Sequence, residues 1–311
     1  MPAPPTAAHI REVNVRYHDA AAEEYDGKWG IDFGPIGQGQ VLGKLRKALG
    51  RDGELPVFER GLEIGAGTGY FTLNLMLAGV LREAVCTDIS PGMLAVLEAN
   101  AAELWLEVET VAGEAERLAL PDGSFDLVFG HAVLHHLPDL ERAFVEFLRL
   151  LRPGGMVAFA GEPSRYGDRL AAVPKRGAVT LAPIWRRLMR AGPATPAHDH
   201  RPGNGHREGG DHGMEFFVDV HAFSPTDLRR FAVGAGFEDP RVTGEELLAS
   251  WFGWANRTLE STADPDGVPR LWRQYAHRGY LLLQQVDRRL LEGRLPPEAF
   301  YNLMLAARKP R

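Results

Sequence analysis

Cysteine is almost missing from this chain. Its 311 residues hold one, Cys86, so no internal disulfide is available and a reducing, cytoplasmic setting is expected. No apolar run approaches the ~18 residues that signal a membrane span. The opening stretch, MPAPPTAAHIREVN, lacks the basic start and apolar centre of a secretory leader, and none is read there. Excess positive charge is lacking as well. Lys and Arg number 35 against 41 Asp and Glu, a formal charge of −6, so no nucleic-acid partner is expected. One region departs from that average. Between residues 165 and 212 the basic residues Arg165, Arg169, Lys175, Arg176, Arg186, Arg187, Arg190, Arg201 and Arg207 meet only Asp168, Asp199, Glu208 and Asp211.

What is present is an alternation. Strand-like LEIG leads into helix-like YFTLNLMLAG, and EAVCTDI into SPGMLAVLEANAAEL, where Ser90 is placed to cap and Pro91 to open a helix. LEVETVAG and DLVFG follow as strands. DLERAFVEFLRLLRPGG then puts Leu140, Phe144, Phe147, Leu148 and Leu151 on one helix face, and MVAFAGEP closes the series. Strands alternating with helices through short loops predict a parallel sheet covered on both faces, with ligands at the strand carboxyl ends. After Pro163 the regularity stops, and AHDHRPGNGHREGGDHG reads as a loop. Its His198, Asp199, His200, His206, Asp211 and His212 are too irregularly spaced for a metal site, and no metal is expected. SPTDLRRFAVGAGF reads as a capped helix, PRVTGEELL and FYNLMLAARKP as strands. Between those two strands, Trp272, Tyr275, Ala276, Gly279, Leu283, Val286 and Leu290 recur at helical spacing.

The informative loop is LEIGAGTGYF, residues 62–71. Gly65, Gly67 and Gly69 lie between a strand and a helix, where nucleotide-type cofactors bind. The dinucleotide fingerprint G-x-G-x-x-G is broken, because Tyr70 stands where its third glycine belongs. No Gly-Lys-Ser or Gly-Lys-Thr follows to make a phosphate loop. Glu63, just ahead of the loop, would repel a pyrophosphate and attract an ammonium group. The ligand expected is one with a positive amine and no phosphate.

LEIGAGTGYF, CTDISPGML and GEAERLALPDGSFDLVFGHAVLHHLPD…LRLLRPGG resemble, in order and spacing, the motifs of class I S-adenosylmethionine-dependent methyltransferases. They are most similar to the small-molecule enzymes of the ubiquinone/menaquinone-biosynthesis type. The resemblance covers residues 58–162 and touches the N-terminal helix and FSPTDLRRFAVGAGF more loosely. It implies an α/β, Rossmann-like doubly wound seven-stranded sheet with a reversed last strand. It also implies S-adenosyl-L-methionine as cofactor, with S-adenosyl-L-homocysteine as product. The implied binding residues are Gly65, Ala66, Gly67 and Gly69 of the first loop, with Glu63 before it. Asp88, followed by Ile89, takes the ribose hydroxyls, and Met93 packs on the adenine. Gly113, Glu114 and Ala115 meet the adenine edge, Glu114 standing where the family has an Asp. The carbonyl of His131 holds the methionine amino group. Tyr17 and Tyr25 belong to NVRYHDAAAEEYDGKW, which resembles the family's lid helix.

Methyl transfer from a sulfonium is an in-line displacement, so the protein chiefly positions the acceptor, and a base matters only if the nucleophile keeps its proton. His131, His136 and His221 are the candidates for that base, with His18 and His135 near the same edge; Glu162 could touch substrate or solvent. The expected organisation is a helical lid over 1–40, a cofactor-binding core over 41–164 and a basic insertion over 165–222. A return to the sheet over 223–249, a helical cap over 250–296 and a last strand over 297–311 complete it. Trp185, Phe216, Phe217, Trp251, Phe252, Trp254, Trp272, Tyr275 and Tyr280 of the insertions are enough to wall a pocket for a small, partly apolar acceptor, or to form the insertions' own core. APIWRRLMRAG is a cationic amphipathic stretch open to two readings, a solvated face or transient contact with a membrane surface. Two rival functions are kept. One is a sensor that binds S-adenosylmethionine without turnover. The other is an RNA or DNA methyltransferase, against which stand the missing Asn/Asp-Pro-Pro-aromatic motif after the fourth strand and the placement of Cys86 inside a strand.

Overall fold

A computed structural model of the protein describes residues 6–22, 25–51, 53–194, 220–264 and 267–311. Three helices open the chain, α1 (Ala7–Ala21), α2 (Tyr25–Trp29) and α3 (Pro35–Leu49). The alternating part follows as β1 (Phe58–Ile64), α4 (Tyr70–Leu77), β2 (Leu81–Asp88), α5 (Pro91–Glu103) and β3 (Glu109–Ala112). It continues with β4 (Phe125–His131), α6 (Leu140–Leu150) and β5 (Leu151–Pro163). Beyond it lie α7 (Arg165–Met189), α8 (Pro225–Ala235), β6 (Glu238–Glu245), α9 (Leu248–Ser261), α10 (Arg270–Val286) and β7 (Asn302–Arg308). The strands form one mixed sheet in the order β3-β2-β1-β4-β5-β7-β6. β1 runs parallel to both β2 and β4, and the direction of winding reverses between those neighbours, which opens the ligand crevice at their carboxyl ends.

Alternation of side chains across the sheet explains both cores. Leu62, Ile64, Val85, Val128, Val157 and Phe159 turn to one face, where Phe144 and Phe147 of α6 cover them. Leu127, Phe129, Cys86, Ala158 and Met304 turn to the other, against Val41 and Leu45 of α3 and Phe71 and Leu75 of α4. The helix starts follow the local sequence. Ser90 accepts the Met93 N–H at 3.1 Å with Pro91 at the first helical position. Ser224 and Asp227 make a reciprocal capping box on α8.

The chain divides into two compact units. The first comprises Met1–Glu162, Asp211–Thr243 and Leu303–Arg311; the second comprises Pro163–Gly210 and Gly244–Asn302. The second unit differs from the loop-rich reading of residues after Pro163. Arg165–Met189 is one helix of 25 residues that runs through Pro174 and Pro183. Its buried positions, Gly167, Ala171, Ala178, Ala182 and Trp185, recur at helical spacing, and that face packs against α9. Repeated burial outweighs the two missing N–H groups. The insertion aromatics largely pack on one another. Trp185 meets Trp272 at 5.2 Å, Trp272 meets Tyr275 at 5.3 Å and Phe252 meets Tyr275 at 5.7 Å. Phe216, Phe217 and the His198–His212 loop lie outside the described residues.

Candidate functional site

A cleft opens at the carboxyl ends of β1, β2 and β4. Its floor is the turn after β1. Gly65 and Gly67 hold φ of 62° and 52° there, the left-handed region that side chains with a Cβ rarely enter. The two glycines then differ. A Cβ on Gly65 would lie 2.4 Å from Val133 Cγ2, so that position is closed by the protein itself. A Cβ on Gly67 would meet nothing within 4 Å, so that backbone is bare toward the cleft.

Asp88 ends β2 beside this turn. Its Oδ2 accepts the Gly67 N–H at 2.9 Å and its Oδ1 the Ser90 N–H at 2.9 Å. Burial pushes the carboxyl above the usual carboxylate range, against the pull of those N–H groups and of His18. Each oxygen keeps a lone pair for a further donor. Ile89 and the buried Met93 add apolar wall, and Gly113, Glu114 and Ala115 form the side beyond β3. Tyr25 lines the cleft with its hydroxyl pKa pushed up to about 12, first by burial and then by the neighbouring Asp88 and Asp26. His131 and His136 line it after β4. The His131 ring stacks on Phe71 at 5.0 Å, and the absence of a side chain at Gly161 leaves room for it.

Several expected residues stand elsewhere. Glu63 does not reach the cleft. Leu62 and Ile64 face the α6 side of the sheet, so the residue between them points to the opposite side, under α4. There its Oε2 accepts the Thr72 N–H at 3.1 Å and the Thr72 hydroxyl. It thereby serves an N–H of the first turn of a helix whose N-cap, Gly69, has no side chain. Burial raises the Glu63 pKa to about 8, which leaves little negative charge for an ammonium group. Ala66 and Gly69 support the turn from behind: Ala66 packs in the core, and a Cβ on Gly69 would strike Leu73 at 2.9 Å. Tyr17 is buried off the cleft, edge-on to His18 at 5.1 Å. His221 also lies off it. Its Nε2 donates to the Leu137 carbonyl at 3.0 Å and its backbone N–H to the His135 carbonyl, while burial lowers its pKa. Glu162 touches neither cleft nor solvent: it is fully buried and accepts the N–H groups of Val133, Leu134 and His135, with His135 Nδ1 at 2.9 Å.

Other residues enter that the sequence reading passed over. Arg11 and Asn14 line the cleft with His18, at positions 11, 14 and 18, one face of α1. Arg11 reaches Glu114 and Glu116, each at 3.3 Å, so the Glu114 carboxylate is engaged by a guanidinium. Asp19 fastens the same helix to α5 by accepting from the Ser90 hydroxyl and from the Gly92 N–H at 3.0 Å. Thr87, also in the wall, donates its hydroxyl to the Glu63 carbonyl at 2.8 Å. The spacing of polar residues on α1 was the available signal. Among the described residues no three His, Cys, Asp or Glu side chains converge as metal ligands.

Residues 62–159 match the protein family described as Methyltransferase domain. Among curated relatives, malonyl-[acyl-carrier protein] O-methyltransferase of Methylococcus capsulatus is 37% identical over 144 residues, 45% of this chain and 48% of that protein. The ubiquinone/menaquinone biosynthesis C-methyltransferase of Methylobacterium nodulans is 40% identical over 101 residues, 31% of this chain and 39% of that one. The chain thus spans about half the length, or less, of the curated relatives it matches. A solved structure, phosphoethanolamine N-methyltransferase 2 of Haemonchus contortus with phosphomonomethylethanolamine and S-adenosylhomocysteine, superposes with a TM-score of 0.58 at 18% identity. It covers 100% of this chain and 62% of that one. The strand order, the glycine turn meeting an acid at the end of β2 and the family match agree: residues 62–159 match a methyltransferase domain, carried on a seven-stranded Rossmann-like sheet.

Proposed function

We propose that this protein transfers a methyl group from S-adenosylmethionine to a small, partly apolar acceptor by in-line displacement. The observation that carries the proposal is the meeting of Gly67, with open space before it, and the Asp88 carboxylate in one cleft. Those residues suit the cofactor's sugar and chain: an acceptor-only group for two hydroxyls, a bare turn for close approach, and Met93 and Ile89 as apolar surface for the base. Bound there, the sulfonium supplies an activated methyl group. The protein's part is to hold and to orient. Asp88 fixes the ribose, the His131 carbonyl and the glycine turn take the methionine end, and Tyr25 with the 11–14–18 face of α1 shuts water out. Of the three histidines that line the cleft, His18, His131 and His136, the last two are read as the candidates to accept a proton from the acceptor. Relatives named for an acyl-carrier-bound malonyl group and for quinones support an acceptor with an apolar portion.

Titration calorimetry of the folded chain with S-adenosylhomocysteine is expected to show saturable binding at one site. Asp88→Ala is expected to weaken it at least tenfold, about 1.4 kcal/mol, with the circular dichroism spectrum unchanged. Absence of heat with either S-adenosylhomocysteine or S-adenosylmethionine would overturn the assignment.

A further inference from the structure

The 25-residue helix α7 carries a feature that methyl transfer does not use. Its positions 166, 170, 173, 181, 184 and 188 fall within a sector of about 80°, counted at 100° per residue. They are Tyr166, Leu170, Val173, Leu181, Ile184 and Leu188, all exposed, with Val173 at 65%, Ile184 at 60% and Leu188 at 72%. Gly177 fills the gap in the row and is exposed too. A water-facing helix surface does not ordinarily keep six large apolar side chains in line.

The neighbours of this stripe have a sign. Arg169, Arg176 and Arg187 lie along one side, about 40–60° round the helix beyond the stripe's edge at Val173, and all three are exposed. Arg186 and Lys175 are turned inward, the first to the Thr262 carbonyl at 2.8 Å and the second over the Trp254 ring at 3.9 Å. Residues 165–190 hold seven basic residues and one acid, Asp168; its position lies about 200° round the helix from Tyr166. The other edge of the stripe is the buried seam of Gly167, Ala171, Ala178, Ala182 and Trp185. An apolar row flanked by arginines, on a helix whose one acid stands at a position away from the row, complements a surface that is apolar beneath and anionic above. A second copy of the chain fits less well, since it would bring its own arginines with no acid on either stripe to meet them.

We propose that α7 seats the protein on the surface of a bilayer containing anionic phospholipid, with the stripe at the acyl boundary and the three arginines on headgroup phosphates. This stands apart from the methyl-transfer reading and survives its failure. The test is sedimentation of the full chain with vesicles of phosphatidylcholine alone and of equal phosphatidylcholine and phosphatidylglycerol, at about 0.1 M salt. At least tenfold stronger partition onto the anionic vesicles is expected. Ile184→Asp with Leu188→Asp should lower it tenfold or more. Arg169→Gln with Arg176→Gln and Arg187→Gln should remove the preference for phosphatidylglycerol. Circular dichroism reports whether each variant is folded, and Leu188→Gln, at the most exposed position of the stripe, is the milder change, expected to lower partition threefold. No partition onto anionic vesicles, partition unaffected by folded variants of both kinds, or a lipid-free dimer that Leu188→Gln dissociates would each overturn the proposal.

Discussion

Glu63 is a carboxyl group inside a sheet, and its position follows from the two-residue period of the strand that carries it. With Leu62 and Ile64 committed to one core, it projects into the other, beneath the first turn of α4. Burial raises its pKa from 4.5 to about 8. The unfolded chain releases that proton near 4.5, so between there and about 8 the folded state holds the extra proton and stability declines as pH rises. From pH 6 to 8 this is worth about 2 kcal/mol, at up to about 1.4 kcal/mol per unit. Glu63→Gln keeps a neutral acceptor for Thr72 and removes the titration. Urea unfolding at pH 6, 7 and 8 is expected to show wild type losing stability against this variant; parallel curves would refute the assignment. Cys86, on the same face of the sheet, has its thiol pushed up by burial and by Glu63. It is a core residue and not a nucleophile.

The loop between β4 and α6 is held by an acid from the next strand. Glu162 of β5 gathers three consecutive backbone N–H groups, from Val133, Leu134 and His135, and the His135 ring. That fixes Ala132 at φ 53° and sets His131 and His136 at the cleft wall. In Glu162→Gln one acceptor oxygen becomes an NH2 that faces donors. A loss of roughly 2–4 kcal/mol is expected from leaving buried groups unpaired, together with weaker S-adenosylhomocysteine binding. Paired urea curves and calorimetry check both; an unchanged midpoint would show that the loop holds without the clasp. Elements whose signals are local were legible in the sequence. Ser90, Pro91, the Ser224–Asp227 box and the apolar period of α6 each announce a helix within a few residues. Asp88, Met93, Tyr25 and the glycines Gly65 and Gly67, which line the cleft, were reached through the motif resemblance, since Asp88 and Tyr25 lie 21 and 42 residues from Gly67 in the chain. Glu162 was not, since its partners sit 27–29 residues away and only the sheet register joins them. α7 was hidden by Pro174 and Pro183, whose breaking tendency is local, while the burial that overrides it is tertiary.

The molecule carries two cores of unlike size. In the first unit, aromatic and aliphatic side chains from both sheet faces are shut in by helices, with Phe125, Phe129, Phe144, Phe147 and Phe159 almost without solvent contact. The second unit rests on a smaller cluster, Trp185, Ala191, Ala263 and Val268, together with partly buried Met189, Leu259 and Trp272. Its helix α10 buries Gln284 and leaves Leu271, Tyr275 and Leu282 exposed. Local opening costs least where few apolar contacts are lost, so amide exchange in α7, α9 and α10 is expected to run at least tenfold faster than in β1, β4 and β5. The cleft is lined by the first unit alone. A ligand at a hundredfold excess over its Kd stabilises the state that binds it by about 2.7 kcal/mol. Saturating S-adenosylhomocysteine should therefore slow exchange in β1, β2 and β4 about a hundredfold where amides exchange by opening of that unit, and leave α10 within twofold of its free rate. Hydrogen–deuterium exchange with mass spectrometry, resolved by peptide, reads both effects in one experiment. Uniform protection across the chain, gained together on adding ligand, would mean that the two units open as one.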